Sequence, residues 1–406
     1  MHKTDVVIIG GGIAGLTLAA ILGRAGIGVH LVEPFPPPAL KDVKPSGRTV
    51  ALMESSLNIV RATGVWDKIA DRSNPLRIMR IIDDSRPGQG TIDIEFPASD
   101  IGLEQFGFNI SNAALRSALY ETVQNIPKIT LHVPQKLSAY ETQDQSINIT
   151  LDNGIMIQAA LLVGADGRNS AVREQAGIEC KTHEYGQKAI TCLINHSRAH
   201  DNTSTEFHRP AGPLALVPLP GNQSAVVWVE DESRADELVA LRKEEFTQAL
   251  QNLSKDILGG ITLETGPECW PLYSIKAKDL TAPRIVLIAE AAHVMSPITA
   301  QGLNLSLRDV ATLAETIADA MRVGLDPGHA IILEKYLRRR RMDVNTRVFG
   351  VDSMNRIVST DADFIKGLRR GALKAIDSIP AFKKLAMQTG LAPQLDLGRL
   401  AKGDAL

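Results

Sequence analysis

The sequence predicts an α/β protein with two sheets, one mainly parallel and one antiparallel. Three observations lead to this prediction. A β-branched apolar run near the start of the chain leads directly into a glycine-rich turn and an apolar helix. Two more apolar runs that end in an acidic residue occur near residues 160 and 285. Between them lie alternating runs, which are typical of strands exposed on one face, whereas continuous apolar runs indicate strands buried on both faces.

The first element is a strand over 5–9, followed by the pattern Gly10-x-Gly12-x-x-Gly15 and a helix over 16–25. Gly10 allows a tight turn, Gly12 lets the backbone approach a pyrophosphate, and Gly15 lets the helix pack closely on the strand. The N–H groups and the positive dipole end of this helix favour phosphate binding. The candidate phosphate-binding residues are Gly10, Gly11, Gly12, Ala14 and Gly15.

A second strand over 28–32 ends at Glu33. An acidic residue about 20 positions beyond the glycines is suited to bind the ribose hydroxyls of an adenosine. The order strand, turn, helix, strand and acid predicts a dinucleotide cofactor. This unit alone does not separate FAD from NAD.

Two further motifs decide the cofactor. The run 160–165 ends in Asp166-Gly167, and the run 284–293 continues through Pro297 to Gln301. With these motifs the sequence resembles, from residue 5 to about residue 345, the class A FAD monooxygenases, which are flavoprotein aromatic hydroxylases. The resemblance implies that the first motif holds the ADP half of FAD, the second lies near the pyrophosphate, and the third holds the ribityl chain and flavin ring. It adds these cofactor-binding candidates: Asp166, Gly167, Glu290, Pro297, Gln301, Gly302, Leu303 and Asn304.

Within this family the closer resemblance is to the ubiquinone-biosynthesis hydroxylases. It is carried by the segments 47–52 (GRTVAL), 109–116 (NISNAALR) and 336–341 (YLRRRR). The resemblance implies that Arg48 and Arg116 lie near the flavin and the pyrophosphate. It also implies a Rossmann-like FAD-binding domain of the p-hydroxybenzoate-hydroxylase type, an inserted antiparallel-sheet substrate domain and C-terminal helices.

The third motif departs from the family pattern at three positions. The family has Gly-Asp-Ala-Ala-His and later Pro-x-x-Gly-Gln-Gly, where this chain has Ala289, Glu290 and Ala300. Glu290 keeps a carboxylate for a ribityl hydroxyl, one methylene further out. A positive φ at either alanine would cost roughly 1 kcal/mol or more. These departures would allow weaker FAD binding, and the alternative that this chain is a non-catalytic member of the family stays open.

His293 lies beside the expected flavin site, and two roles are open for it. A general base would have to reach the substrate hydroxyl, whereas a structural histidine needs only one backbone partner, and the structural role is favoured. No catalytic side chain is therefore assigned, since the flavin carries the chemistry. The other histidines form no His-x-x-x-His pair, so no metal site is expected. No Gly-x-Ser-x-Gly or Gly-Lys-Ser/Thr motif supports a hydrolase or an NTPase.

The composition indicates a globular protein without a strong charge field. The 44 Lys+Arg and 46 Asp+Glu residues give a net charge of −2, which argues against a nucleic-acid partner. The three cysteines are widely spaced, which favours a reducing, cytoplasmic setting. The apolar stretch 6–23 is about as long as a membrane span, but its three central glycines favour a strand, a turn and a helix.

Because the three motifs are dispersed, the FAD-binding domain is expected to be discontinuous. Alternating runs at 186–195 and 224–230 predict strands of the substrate domain, and the prolines within 212–221 predict an irregular segment. The predicted division is 1–75, 102–183 and 282–350 for the FAD-binding domain, 76–101 and 184–281 for the substrate domain, and 351–406 for a helical tail.

The resemblance implies a monooxygenase that uses FAD, O2 and NAD(P)H or another electron donor. Reduced FAD would form a C4a-hydroperoxide whose distal oxygen passes to the aromatic ring of a polyprenylated phenol in ubiquinone biosynthesis. Two alternatives stay open, a hydroxylase of a small soluble aromatic acid and a non-catalytic subunit of a quinone-biosynthesis protein complex. Apolar and basic residues are interleaved over 364–387, which suits either peripheral contact with an anionic inner membrane or a packed helix.

Overall fold

The computed structural model describes most of the chain. The described residues are 2–84, 90–209, 211–295, 301–358, 371, 380–391 and 397–406. Pro297 and Ala300 lie outside these residues, as does most of the segment 364–387.

Strands and helices are labelled in chain order. The strands are β1 (His2–Ile9), β2 (Val29–Val32), β3 (Thr49–Met53), β4 (Ser73–Leu76), β5 (Ile78–Asp83), β6 (Ile92–Pro97), β7 (Gly107–Ser111), β8 (Ile129–His132), β9 (Leu137–Thr142), β10 (Ile147–Leu151), β11 (Met156–Gly164), β12 (Cys180–His196), β13 (Thr203–His208), β14 (Leu214–Leu219), β15 (Gln223–Asp231), β16 (Ile261–Leu263), β17 (Glu268–Ala277), β18 (Thr281–Ala282), β19 (Ile285–Leu287) and β20 (His293–Val294). The helices are α1 (Ile13–Arg24), α2 (Glu54–Ala62), α3 (Asn112–Val123), α4 (Ala171–Gln175), α5 (Glu232–Val239), α6 (Lys243–Ser254), α7 (Gln301–Arg322), α8 (Ala330–Val358), α9 (Pro380–Leu391) and α10 (Arg399–Lys402).

The first sheet has the strand order β18-β19-β11-β1-β2-β8, with β10 and β9 continuing from β11. Its centre is parallel, because β19, β11, β1, β2 and β8 all run in one direction. Val6, Val7 and Ile8 in β1 are fully buried, α1 packs on the sheet, and α3 and α7 pack against α1. Such burial is the reason that this strand is a continuous apolar run. The α/β class and the mainly parallel first sheet are confirmed.

The second sheet has the order β20-β17-β12-β15-β14-β13-β5-β6, with β16 also paired to β12. Its strands are antiparallel except that β13 and β5 run parallel. Ile190, Trp228 and Phe246 form a core between this sheet and the helices α5 and α6. The strands predicted over 186–195 and 224–230 are confirmed as parts of β12 and β15. The proposed domain boundaries stay a prediction.

The proline-containing segment 212–221 forms β14, so the prediction of an irregular segment was wrong. β14 pairs with β13 and with β15. Its pairing with β13 ends at Leu216, so Pro218 lies where only β15 is paired. A proline without an N–H group is tolerated where one side of a strand has no partner.

Helix α9 contains the described end of the predicted amphipathic segment. Met387 is buried in an apolar cluster with Phe96. Lys383 lies over the Phe96 ring and 3.5 Å from Asp100. In this part of the tail the packed helix is the arrangement that the structure shows. None of the helices in the described ranges combines the length and apolarity needed to cross a membrane.

A buried histidine pair between β2 and β8 predicts that the first sheet loses stability in acid. His132 Nε2 and His30 Nδ1 are 2.9 Å apart, so one ring donates a hydrogen bond to the other. Burial, together with the charge of His132, lowers the pKa of His30 to about 4. The unfolded value is about 6.5, so the folded state binds fewer protons. The contribution to stability is complete above pH 6.5 and falls as the pH drops towards 4.

We expect His30→Gln to reduce the slope of the unfolding free energy against pH. The reduction should be as much as one proton, which corresponds to about 1.4 kcal/mol per pH unit. Urea unfolding at several pH values between 7 and 4.5 measures it. His183→Gln is the matched control, because His183 is exposed, and its pH slope should equal that of the wild type. An unchanged slope in His30→Gln would assign the acid dependence to other groups.

Candidate functional site

The parallel strands bring the three sequence motifs to one edge of the first sheet. The strands β1, β11 and β19 end side by side, with Ile9 paired to Gly164 and Gly164 paired to Leu287. Val32 at the end of β2 pairs with Ile9 on the other side. The residues that follow these ends include the glycine turn, Glu33, Asp166 and Ala289. Ligands of open α/β sheets bind at this carboxyl edge.

The glycine turn leaves space on one side only. Gly10 has a φ of +111°, and a Cβ on it would lie 2.3 Å from the carbonyl oxygen of Ala165. A Cβ on Gly15 would lie 2.0 Å from the carbonyl oxygen of Gly10, while Ala14 is buried in the core. No heavy atom lies within 4 Å of the position that a Cβ of Gly12 would take. The backbone is therefore packed behind Gly10 and Gly15 and open at Gly12.

Glu33 and Arg116 hold the glycine turn from its other side. The buried Glu33 carboxylate accepts the Gly11 N–H at 2.6 Å and the Phe35 N–H at 2.7 Å. Arg116 donates to the Gly11 carbonyl at 2.8 Å and to the Phe35 carbonyl at 2.7 Å. Its guanidinium is 3.4 Å from the Glu33 carboxylate. Both residues lie beside the turn, and their contacts with ribose and pyrophosphate stay a prediction.

Asp166 offers a carboxylate oxygen to this edge. Its Oδ2 atom accepts the N–H of Val172 in α4 at 3.1 Å. Its Oδ1 atom is buried and has no hydrogen-bond partner within the described part of the chain. The next residue, Gly167, has a φ of +81° and open space where a Cβ would lie. A buried acceptor without a hydrogen-bond partner destabilises the folded protein. Oδ1 is therefore suited to accept a hydrogen bond from a ligand hydroxyl.

The start of α7 supplies the remaining predicted residues. Gln301, Gly302 and Leu303 form its first turn and are half-buried, and the space beside Gly302 is open. Asn304 is different, because its amide accepts the Met53 N–H at 3.0 Å and donates to the Ala51 carbonyl at 2.8 Å. This side chain joins α7 to β3.

Arg48 lies where the segment before β3 meets the second sheet. It is exposed, and its guanidinium carbon is 4.8 Å from the centre of the Trp270 ring. A Cβ on the preceding Gly47 would lie 2.5 Å from the backbone nitrogen of Cys192, so this segment lies directly on β12. Strand β3 belongs to a third sheet of three strands with the order β3-β7-β4, so Arg48 lies where this three-stranded sheet meets the second sheet. Its contact with the flavin stays a prediction.

The third motif forms a short 3-10 turn over Ala289–Ala291. Ala289 has a φ of +55°, which is the unfavourable case for a residue with a Cβ and costs roughly 1–2 kcal/mol. Its N–H donates to Asp309 Oδ2 at 2.9 Å. A hydrogen bond to a charged group is worth about 1.5–3 kcal/mol, which offsets that strain. Glu290 is half-exposed, 4.0 Å from the Arg168 guanidinium.

His293 is buried behind this turn, and its contacts favour the structural role. Its Nε2 atom donates to Asp309 Oδ2 at 2.6 Å, and Arg340 Nε donates to Asp309 Oδ1 at 2.7 Å. Burial by itself raises the pKa of Asp309, but the charges of His293 and Arg340 lower it to about 2. Asp309 is therefore an ionised acceptor throughout the physiological pH range.

Three residues that connect the motifs were not predicted as site residues. They are Asp309, Arg340 and Arg173. Arg173 donates to the Ala291 carbonyl at 2.9 Å and to the Arg168 carbonyl at 2.8 Å, so it joins the second motif to the third. The sequence held one signal for the burial of Arg340. Arg340 follows Tyr336 by four residues, so the two share a helix face, and both are buried in the structure.

These features fit a dinucleotide with a pyrophosphate and several hydroxyls. The turn is open at Gly12, Asp166 has a buried oxygen without a partner, and Glu290 presents a carboxylate from the third motif. Among the described residues, no group of His, Cys, Asp and Glu side chains is arranged to bind a metal ion.

Comparison with known sequences agrees with this site. The family described as FAD binding domain matches residues 3–348. The chain is 34% identical over 404 residues to the ubiquinone hydroxylase UbiL of Rhodospirillum rubrum, covering 98% of this chain and 92% of the relative. It is 29% identical to the 3-demethoxyubiquinol 3-hydroxylase of Escherichia coli, covering 96% of this chain and 99% of the relative.

Solved structures show the same fold. The p-nitrophenol 4-monooxygenase PnpA of Pseudomonas putida aligns with a TM-score of 0.78 at 17% identity, covering 97% of this chain and all of that one. At this coverage the alignment extends over all three sheets. Together with the sequence relatives and the site geometry, it shows that this chain belongs to the FAD binding domain family and is an FAD-dependent monooxygenase related to the ubiquinone hydroxylases.

Proposed function

We propose that this monooxygenase hydroxylates the aromatic ring of a polyprenylated phenol in ubiquinone biosynthesis, with O2 and with NAD(P)H as electron donor. The observation that carries the proposal is the alignment with ubiquinone hydroxylase UbiL along 98% of this chain. An alignment of this extent includes the second sheet as well as the cofactor motifs.

The junction of the second sheet and the three-stranded sheet supports an aromatic substrate with a hydroxyl group. Thr191 on β12 lies against Gly47, next to Arg48. Its hydroxyl is buried and has no hydrogen-bond partner among the described residues, and the same holds for the Asn109 side-chain oxygen on β7. Burying such an oxygen destabilises the protein unless a ligand or a water molecule forms a hydrogen bond with it. These two oxygens are candidates to bind the phenol oxygen, and the exposed Trp270 ring contacts Arg48, which follows Gly47 in the chain.

The protein's contribution is to position the ring and to exclude water. Bound FAD supplies the activation of oxygen, which no protein side chain performs well. The glycine turn, Glu33 and Asp166 would hold the cofactor, and the second sheet would hold the phenol ring in line with it. Because a polyprenyl chain partitions into lipid, we also infer that the enzyme takes its substrate by peripheral contact with a membrane or from a protein complex.

The test presents three phenols to the purified protein with FAD, NAD(P)H and O2. One is polyprenylated and embedded in anionic vesicles, one is the same phenol without the chain, and one is a soluble hydroxybenzoate. We expect the hydroxylated product, measured by mass spectrometry, to form fastest from the vesicle-bound phenol. Faster turnover of the hydroxybenzoate would instead assign a small soluble aromatic acid as the substrate. NAD(P)H oxidation without any product would contradict both assignments.

A further inference from the structure

A buried polar network lies directly behind the third motif. Asp309 on α7 is 1% exposed and accepts hydrogen bonds from the Ala289 N–H, from His293 and from Arg340 on α8. Arg340 is 3% exposed and also pairs with Asp343 one helical turn away. Two long helices thus meet at one carboxylate, and that carboxylate binds the backbone of the Ala289 turn.

The hydrogen bond from Ala289 has a specific consequence for the turn. Ala289 has a φ of +55°, a region that residues with a Cβ avoid and that glycine adopts freely. The family motif has glycine at this position, so this chain needs another means of holding the turn. The Asp309 carboxylate supplies it, because its bond to the Ala289 N–H exists only while the N–H points towards α7.

We propose that Asp309, held in place by Arg340, is a positioning residue for the flavin. It keeps the Ala289 turn in the left-handed conformation and so presents Glu290 beside Arg168 of the second motif. In this chain the carboxylate holds a turn that has alanine at the position where the family motif has glycine. This role of Asp309 concerns FAD affinity, which does not depend on the substrate, so it can be tested independently of the proposed function.

The test is a double-mutant cycle read out as FAD affinity, measured by quenching of flavin fluorescence on titration into apoprotein. Asp309→Asn keeps the size of the side chain but removes its charge. We expect it to weaken FAD binding at least tenfold. Ala289→Gly alone should change the dissociation constant less than threefold. In the Ala289→Gly background Asp309→Asn should also cost less than threefold, because glycine holds the turn unaided.

The matched control is Glu315→Gln. Glu315 is on the same helix, equally buried, and paired at 3.1 Å with Arg339 on α8, but it binds the Leu400 N–H and not the Ala289 turn. The Glu315→Gln substitution should lower the thermal unfolding temperature without changing FAD affinity. Circular dichroism of each apoprotein verifies folding. If Asp309→Asn does not fold, Arg340→Lys serves instead and should show a smaller loss that Ala289→Gly restores.

Two results would overturn the proposal. One is an unchanged FAD dissociation constant in a folded Asp309→Asn protein. The other is an equal loss of affinity in the alanine and glycine backgrounds, because that would separate Asp309 from the conformation of the turn.

Discussion

Gly15→Ala is expected to abolish FAD binding and to destabilise the protein by about 3 kcal/mol. The added Cβ would lie 2.0 Å from the carbonyl oxygen of Gly10, which is backbone and cannot rotate away. Relief requires moving α1 off β1 or opening the turn, and both would displace the backbone N–H groups that face the ligand. Urea unfolding of the apoprotein and an FAD titration measure the two effects.

The matched variant is Gly12→Ala, at the one open glycine of the turn. Gly12 has a φ of −74°, which any residue adopts, and its Cβ would meet nothing within 4 Å. Its unfolding free energy should therefore stay within about 0.5 kcal/mol of the wild type. FAD affinity should still fall tenfold or more, because the methyl group takes space needed by the pyrophosphate. Wild-type affinity in Gly12→Ala would place the pyrophosphate elsewhere.

Arg340→Met is expected to destabilise the protein by about 3–5 kcal/mol, because it leaves a buried carboxylate without its guanidinium partner. Asp309 is fully enclosed and ionised, and its other side-chain hydrogen-bond donor is His293. Methionine has an apolar side chain of similar length, so the packing changes little. The decrease in unfolding free energy then results mainly from removing the guanidinium charge. Urea unfolding at pH 7 measures it.

Arg338→Met is the control for this variant. It lies in the same arginine run and on the same helix, but its side chain is exposed. The change in its unfolding free energy should be within about 0.5 kcal/mol. Equal effects of the two substitutions would show that the buried network contributes no more to stability than a solvated arginine.

Several features of the site were predictable because they depend on neighbours in the chain. The strand, turn, helix, strand and acid of the first unit occupy residues 5–33, and their order alone indicates a dinucleotide site. The tight turn at Gly10 and the close packing at Gly15 agree with their spacing, while the approach of a pyrophosphate to Gly12 stays a prediction. The run of arginines shows the limit of such reasoning. Four consecutive arginines favour an exposed helix face, but only tertiary packing shows that Arg338 is exposed whereas Arg340 is buried.

The sequence by itself determined the fold class and the set of motifs, because each motif is a short segment whose residue types follow from local backbone geometry. The cofactor followed from the resemblance of these motifs to a known family. Tertiary structure alone decided how these segments support one another. Asp309 reaches back to Ala289, Arg340 reaches from the next helix, and Asn304 binds β3 about 250 residues away along the chain. It also decided the sign of φ at Ala289, and hence that this departure from the family is strained. These contacts join residues that are distant in sequence, and no local pattern specifies which buried donor will meet which acceptor once the helices pack on the sheet.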